Sequence, residues 1–480
     1  MKAALILATQ LLRDHPAIND PSVDVFVMIE AEDACRKLPY HQHKLVLLLA
    51  GMRAYHMYLE SLSKKVIYRN VDETKEFGAA LRSILDEESI DHISWMRASD
   101  VPTQERLEKL VQGVEREIYP NDLFITPEGE LRAWFEGRKS PLMETFYRWQ
   151  RQRTGILMDG VQPEGGVWNY DAENRKPLPK AGIDVPSLLS IEHSEHTKDV
   201  IETVARLFPD HPGSASGFWL PVDHAQADVW LDDFFRRRFA HFGIYEDAMK
   251  AGEPFLFHGV LSPLINIGLL TVRQVIDGAL AAYRRGDAPL SGVEGFIRQI
   301  IGWREYMYGL YLARPDMKEL NFFGFTKPLE DWWYSDDWKD QDLPLPVQSA
   351  LETVHRYGYN HHIERLMVLG NWFLLNEYDP AEVYRWFSAM YVDAYQWVMV
   401  PNVMGMSQFA DGGYTATKPY ISGGNYLEKM GRWWGSTAAA RDSEFTRLYW
   451  RFLNRQHDHL KGNHRMALVL KQARVRRDAQ

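Results

Sequence analysis

Short apolar runs recur along the N-terminal part of the chain, at residues 3–8, 23–29, 65–68, 90–95 and 123–126. Charged, amphipathic stretches such as 74–87 and 103–117 lie between them. Continuous apolar runs suit strands buried on both faces, and strands alternating with helices predict a parallel sheet covered on both sides. Residues 1–130 are therefore expected to form a Rossmann-like α/β domain, whose ligands sit beyond the carboxyl ends of the strands. No Gly-x-Gly-x-x-Gly fingerprint follows the first strand, so the standard dinucleotide site is not expected there.

The texture changes twice further on. Residues 131–215 are dense in Gly, Pro, Asn and charge, and read as an interdomain linker, most clearly at 163–179. From residue 216 to 480 strand signals nearly vanish, and helical periodicity predicts helices at 230–239, 272–283, 293–312, 346–375 and 380–398. This half is expected to be an all-α domain.

A chain of 480 residues with 45% hydrophobic and 13% aromatic content can bury a large core. Sixteen tryptophans exceed what packing needs and invite stacking or electron-transfer roles. The net charge of -10 does not advertise nucleic-acid binding, so any such surface must be local. The single cysteine, Cys35, excludes an internal disulfide framework and a cluster of cysteine metal ligands. The first apolar run is too short for a signal peptide and no run is long enough to span a bilayer, so the protein is expected in the cytoplasm, as a monomer.

Candidate chemistry concentrates in 361–426, which holds His361, His362, Arg365, Asp393 and many aromatics in a largely apolar setting. A buried cation needs a partner, and Asp393 is the sensible one for Arg365. A charge pair, a histidine and stacking rings together suit a planar, redox-active cofactor; an interhelix salt bridge with no ligand is the plainer alternative. Ser262-Pro263 reads as an N-cap and first turn, which presents free N–H groups to phosphate or is simply a good helix start.

The motif His361-His362-x-x-Arg365, with Asp393 on a later helix, resembles the flavin-binding core of photolyases and cryptochromes. Trp168-Asn169-Tyr170-Asp171, Asn174-Arg175-Lys176-Pro177-Leu178-Pro179 and Gly405-Met406-Ser407-Gln408-Phe409-Ala410-Asp411-Gly412-Gly413 are similar to the bacterial photolyase-related branch. Known members of that branch repair (6-4) photoproducts and usually carry an iron–sulfur cluster. The resemblance runs over nearly the whole chain. It implies an antenna-binding domain at 1–130 and an FAD-binding catalytic domain at 216–480.

By the same resemblance, Tyr245, Asp247, His258, Ser262, Gln299, Arg365, Asp393 and Met399 surround FAD. Met399 stands where relatives commonly have an acidic residue, so proton supply to the flavin is expected to differ. His362 matches the histidine placed against the lesion in ultraviolet-damaged DNA, and Met406, Tyr420 and Tyr426 match residues around it. Trp303 and Arg304 fit a stacking platform with a phosphate contact. Trp386 and Trp338 match the electron wire, while Phe387 replaces a frequent tyrosine. Glu30, His43 and Lys44 match an antenna site for 6,7-dimethyl-8-ribityllumazine.

The regions where relatives supply cluster cysteines, 343–348 and 430–443, contain none here, so no iron–sulfur cluster is expected, and no metal. The resemblance implies a (6-4) photolyase. A photosensory cryptochrome and a light-independent DNA-binding flavoprotein are the alternatives.

Overall fold

Strands β1 (Lys2–Leu5), β2 (Val25–Ile29), β3 (Val66–Arg69), β4 (His92–Met96) and β5 (Glu115–Tyr119) form one parallel sheet in a computed structural model that describes residues 1–478. Their order is β3-β2-β1-β4-β5. Alternate residues face opposite ways, as a pleat demands. Ala4, Phe26 and Met28 pack towards the helix Gln42–Ser61. Ala3, Leu5, Val25, Val27 and Trp95 pack towards the helices Phe77–Glu87 and Val101–Leu110. Both faces are buried, which is why β1 and β2 read as unbroken apolar runs.

The fifth strand is not where the apolar pattern puts it. β5 begins within the stretch 103–117 expected to be helical, whose helical part ends at Leu110, and runs on to Tyr119. It is an edge strand paired only with β4, and its Glu115, Arg116 and Glu117 face water, so no apolar run marks it. Residues 123–126 form no strand; they are apolar because Leu123 and Phe124 sink into the core of the helical half. There the backbone N–H groups of Ile125 and Thr126 donate to the buried carboxylate of Glu305, each at 3.1 Å.

Residues 131–215, expected as a linker, hold substantial structure. The helix Met143–Thr154 packs on the segment Arg298–Arg304, and Glu195–Leu207 packs on Gln42–Ser61. The span thus laces the two halves together. The expected long helices are also divided. Residues 293–312 comprise Leu290–Ile297, a π-helical Arg298–Arg304 and Glu305–Ala313. Residues 346–375 break at Gly358, whose φ of 63° ends Leu345–Tyr357, before a second helical stretch that includes the π-helical Glu364–Gly370. Residues 380–398 break between Pro380–Met390 and Gln396–Met399, so Asp393 sits in an irregular turn and not on a helix.

Helices in this half approach closely at glycines. A Cβ on Gly243 would lie 2.5 Å from Gly292 Cα and 2.9 Å from Asn174 Oδ1, and Asn174 itself donates to Ser291 O at 2.9 Å. Gly243→Val is expected to lower unfolding free energy by about 1–3 kcal/mol through overpacking. Urea titration at constant m-value measures it, and unchanged stability would show that the contact has slack.

Candidate active site

Three π-helical segments among the described residues, Arg298–Arg304, Glu364–Gly370 and Val400–Ser407, carry Gln299 with Trp303, Arg365, and Met406 respectively. Such i→i+5 turns re-aim side chains inside a helix and are frequent at functional sites. Each is continuous with ordinary helix on at least one side, so apolar spacing alone does not reveal them.

Arg365 and Asp393 form a bidentate pair, Nη1 to Oδ1 at 2.8 Å and Nη2 to Oδ2 at 3.1 Å. Arg365 Nε donates to Asn360 O at 2.7 Å, and the guanidinium lies over the rings of Tyr391 at 4.2 Å and Tyr359 at 4.9 Å. Asp393 Oδ2 also accepts from Ser262 Oγ at 2.6 Å, and its carbonyl accepts from Asn266 at 3.0 Å. Ser262 is therefore the first helical residue with its hydroxyl spent on Asp393, whereas Leu261 occupies the expected N-cap position. The Arg365 and Asp393 side chains keep 16% and 7% exposure within buried surroundings. Gln299, Asn402 and Met406 are likewise partly exposed. Arg365, Gln299, Asn402 and Met406 are thus partly exposed within the helical half, whereas Asp393 and Met399 are buried.

A second constellation centres on His362, whose side chain is 54% exposed and whose Nε2 lies 3.2 Å from Asp247 Oδ1. Burial raises the Asp247 carboxyl, but His362 and the Arg175 guanidinium more than offset this and hold it below its usual value. His258 stacks on His361 with centroids 4.7 Å apart and presents its ring to His362 at 5.6 Å. Burial pushes His258 down to about 3, so it is neutral. Tyr420 and Tyr426 are half-buried with phenols raised chiefly by burial, and Asp247 adds to both shifts. Asp247 and His258 thus gather with His362, while Tyr245 packs apart against Phe257 at 5.6 Å, with Leu178, Ile183 and Val185.

Arg175 is a site residue that composition and spacing do not single out. It bonds Glu246 at 2.9 Å and Asp171 at 3.3 Å and adds to the field on Asp247, Tyr420 and Tyr426. Its signal is the Asn174-Arg175-Lys176 stretch, where Arg175 takes φ of 62°.

Glu364, between the constellations, is fully buried and accepts from Asn360 at 2.9 Å. Burial pushes its carboxyl from an ordinary 4.5 up to about 7, against the pull of Asn360 and Arg365. Between pH 4.5 and 7 the folded chain therefore binds more protons than the unfolded one, so this group's contribution to stability falls as pH rises through that window. Glu364→Gln is expected to remove that slope and to add up to about 3 kcal/mol above the window. Denaturation curves at several pH values would refute this if both proteins keep the same slope.

Several expected residues lie elsewhere. Arg304 does not face solvent: it donates to Leu123 O at 2.9 Å and lies over Phe124 at 4.3 Å and Trp397 at 5.1 Å. Burial pulls it down to about 10. It locks the 123–126 loop to the helical half and has no free face for a phosphate. Trp303 is half-buried, edge-on to Tyr306 at 6.1 Å. Trp386 is fully buried with Trp333, Phe373, Phe387 and Tyr391 around it, whereas Trp338 pairs with His355 at 6.0 Å. The two expected wire tryptophans are not brought into ring contact.

A cavity of about 730 Å³ opens beyond the carboxyl ends of β1, β2 and β4, bordered by Ala8, Glu30 and Asp100, and by Ser388 and Tyr395 of the helical half. Lys44 lines it, with Nζ donating to Ser388 O at 3.1 Å and to Ala394 O. Glu30 borders it, but its carboxylate is already bound by Arg53, Tyr68 and the N–H of Val71. His43 is turned away, with Nε2 2.9 Å from Ser214 O and its ring edge-on to Phe218. Leu343, Val347, Met430 and Trp433, from the two cysteine-free regions, pack into one apolar core.

A family model described as deoxyribodipyrimidine photo-lyase-related protein matches residues 4–220. The (6-4) photolyase of Agrobacterium fabrum is 37% identical over 483 residues, covering 96% of this chain and 93% of its own. An uncharacterized protein of Acanthamoeba polyphaga mimivirus is 39% identical over 111 residues, covering 23% of this chain and 84% of its own. The crystal structure of a bacterial class III photolyase from Agrobacterium tumefaciens superposes with a TM-score of 0.60, covering 96% of this chain and 91% of its own. At 16% structural-alignment identity that likeness shows a shared fold. The sequence identity over almost the full length of both chains shows more: this chain belongs to the photolyase family, in its deoxyribodipyrimidine photolyase-related branch.

Proposed function

We propose that this protein is a light-dependent DNA repair enzyme acting on (6-4) pyrimidine–pyrimidone photoproducts, with FAD as its cofactor. The observation that carries the reading is the bidentate Arg365–Asp393 pair, partly exposed at the arginine and held between the rings of Tyr359 and Tyr391. The name carried by the Agrobacterium fabrum relative supports the choice of lesion. FAD, when bound and reduced, supplies an electron donor that light makes strong enough to reduce the lesion.

The chain's own groups have separable tasks. Arg365 offers a fixed cation beside the cofactor space, and Asp393, oriented by Ser262 and Asn266, keeps that cation compensated. Gln299, half-buried on the π-helical Arg298–Arg304, is assigned to the cofactor by the family motif, and Met399, buried, brings no titratable group to it. His362, reachable from solvent and oriented by Asp247, supplies the proton the repair step needs. Met406, Tyr420, Tyr426 and Trp303 provide apolar and aromatic surface on which an extruded nucleotide stacks. Arg304, covered by the 123–126 loop, offers DNA no free face.

The domain-interface cavity suits an antenna of lumazine size, with Lys44 as its buried donor. Leu48→Trp, which fills that cavity, is expected to remove a shorter-wavelength absorbance shoulder while flavin bands persist. Retention of the shoulder would place the antenna elsewhere. One cysteine cannot supply the four thiolates of the usual iron–sulfur cluster, and Trp433 packs in an apolar core with Leu343, Val347 and Met430.

The test is illumination of the flavin-loaded protein with an oligonucleotide carrying a single (6-4) lesion, scored by restored thymines. Light-dependent restoration supports the enzyme. Flavin photoreduction without restoration indicates a photosensor, and lesion binding indifferent to light indicates a binding protein only.

A further inference from the structure

The aromatic neighbours of Trp386 define a path to the surface that differs from the one the family motif suggests. Trp386 and Trp333 are both fully buried, with centroids 5.8 Å apart, and Trp386 Nε1 donates to Trp333 O at 2.9 Å. Phe373 fills the angle between them, 4.5 Å from Trp333 and 5.3 Å from Trp386. Trp333 stacks on Trp332 at 4.3 Å with planes 24° apart, and Trp332 is half-buried at the protein surface. On the inner side, Trp386 lies 5.9 Å from Tyr391, the ring beneath Arg365.

Proton acceptors separate this path from the alternative. An indole that has lost an electron becomes a strong N–H acid, so a stable resting place for the hole needs a base at Nε1. Trp333 Nε1 donates to Glu330 Oε2 at 3.1 Å, and the Glu330 side chain is 43% exposed. A carboxylate there favours the positive charge and can take the proton. Trp386 has only a backbone carbonyl at its N–H, so it passes the hole on. Trp338 Nε1 is buried with no hydrogen-bond partner among the described residues, which leaves an oxidised Trp338 without a base for its proton.

We infer that the electron Trp386 gives up to the flavin is replaced through Trp333 and its stacked neighbour Trp332, with Glu330 accepting the Trp333 N–H proton, and not through Trp338. The inference rests on the proposed flavin reading. In balance, Trp386 loses one electron and regains one from Trp333. The Trp333–Trp332 pair then stands one electron short, having passed one proton to Glu330. An external thiol releases its proton to water and returns one electron through the exposed face of Trp332, leaving a thiyl radical, and Glu330 hands its proton back to Trp333 Nε1. Loss of the Trp333 N–H proton to Glu330 makes the radical long-lived, and the stacked, partly exposed Trp332 is the ring through which the thiol reduces it.

The test is flash photolysis of the flavin-loaded protein with the flavin oxidised, in H2O and D2O, followed by steady blue light with dithiothreitol. Trp332→Phe and Trp333→Phe are each expected to cut the yield of long-lived tryptophan radical, and the steady photoreduction rate, at least tenfold, as Trp386→Phe does. Glu330→Gln is expected to abolish the deprotonated-radical signal and its solvent isotope effect. A structural role for Glu330 would leave that signature in place. Trp338→Phe is expected to match the parent protein. Loss on Trp338→Phe with wild-type behaviour of Trp332→Phe overturns the route. If Trp333→Phe fails to fold, Trp332→Phe and Glu330→Gln decide alone, because both positions are partly exposed. Repair by the chemically reduced parent protein tests the flavin reading separately, since it needs no relay.

Discussion

Asp393→Ala is expected to purify without flavin and to unfold at markedly lower denaturant concentration. Removing the carboxylate leaves the Arg365 guanidinium, 16% exposed, with no counter-charge, and strands the Ser262 hydroxyl that donates to it. Breaking one partner of a buried pair costs about 3–5 kcal/mol because the other charge stays desolvated. The double change Asp393→Leu with Arg365→Met should recover much of that stability, since it removes both charges, yet should not recover flavin. The ratio of flavin to protein absorbance and urea midpoints measure the two effects separately. A yellow, stoichiometrically loaded Asp393→Ala protein would end the assignment of this pair to the cofactor space.

His362→Ala should leave flavin content and folding intact while repair falls by about 10²–10⁴-fold, the range for loss of a positioned acid. Its side chain is 54% exposed, so little packing is lost. His361→Ala should do the reverse: it removes a fully buried ring stacked on His258 and should lower stability more than repair per folded molecule. Asp247→Asn, which keeps the shape but not the charge facing His362, is expected to fall between, at about tenfold on repair. Single-turnover repair under saturating light, set beside thermal unfolding of the same preparations, measures all three. Equal repair defects in His361→Ala and His362→Ala would remove the distinction.

The sequence pattern and the family motif carried unequal parts of this site. Arg365 and Asp393 were legible as a pair because a cation in an apolar stretch demands a partner. That Asp393 would sit in a turn was not, since apolar spacing runs unbroken across 380–398 while the chain leaves the helix at Tyr391. Ser262 was visible as a helix start, but its bond to Asp393 spans 131 positions and leaves no local trace. Arg304 shows the opposite failure. An arginine beside a tryptophan looks like a nucleic-acid contact, yet a loop from the other half of the molecule covers it. Trp338 matched a motif, but ring contact depends on how the short turns 331–334 and 336–340 fold against Pro380–Met390, and they bring Trp333 there.

Taken alone, the sequence determined the class of each half. Strand-length apolar runs alternating with amphipathic stretches point to a covered parallel sheet, and helical periodicity marks the second half. It also determined that one cysteine cannot ligate a four-thiolate cluster. The tertiary structure alone decided which polar groups face one another: Ser262 with Asp393, Asp247 with His362, and Arg175 with Glu246. The physical reason is range. Strand and helix preferences arise within a few residues, whereas hydrogen bonds and ring contacts across 70 to 130 positions depend on how whole elements dock. That docking is set by summed core packing, which no single stretch of the chain contains.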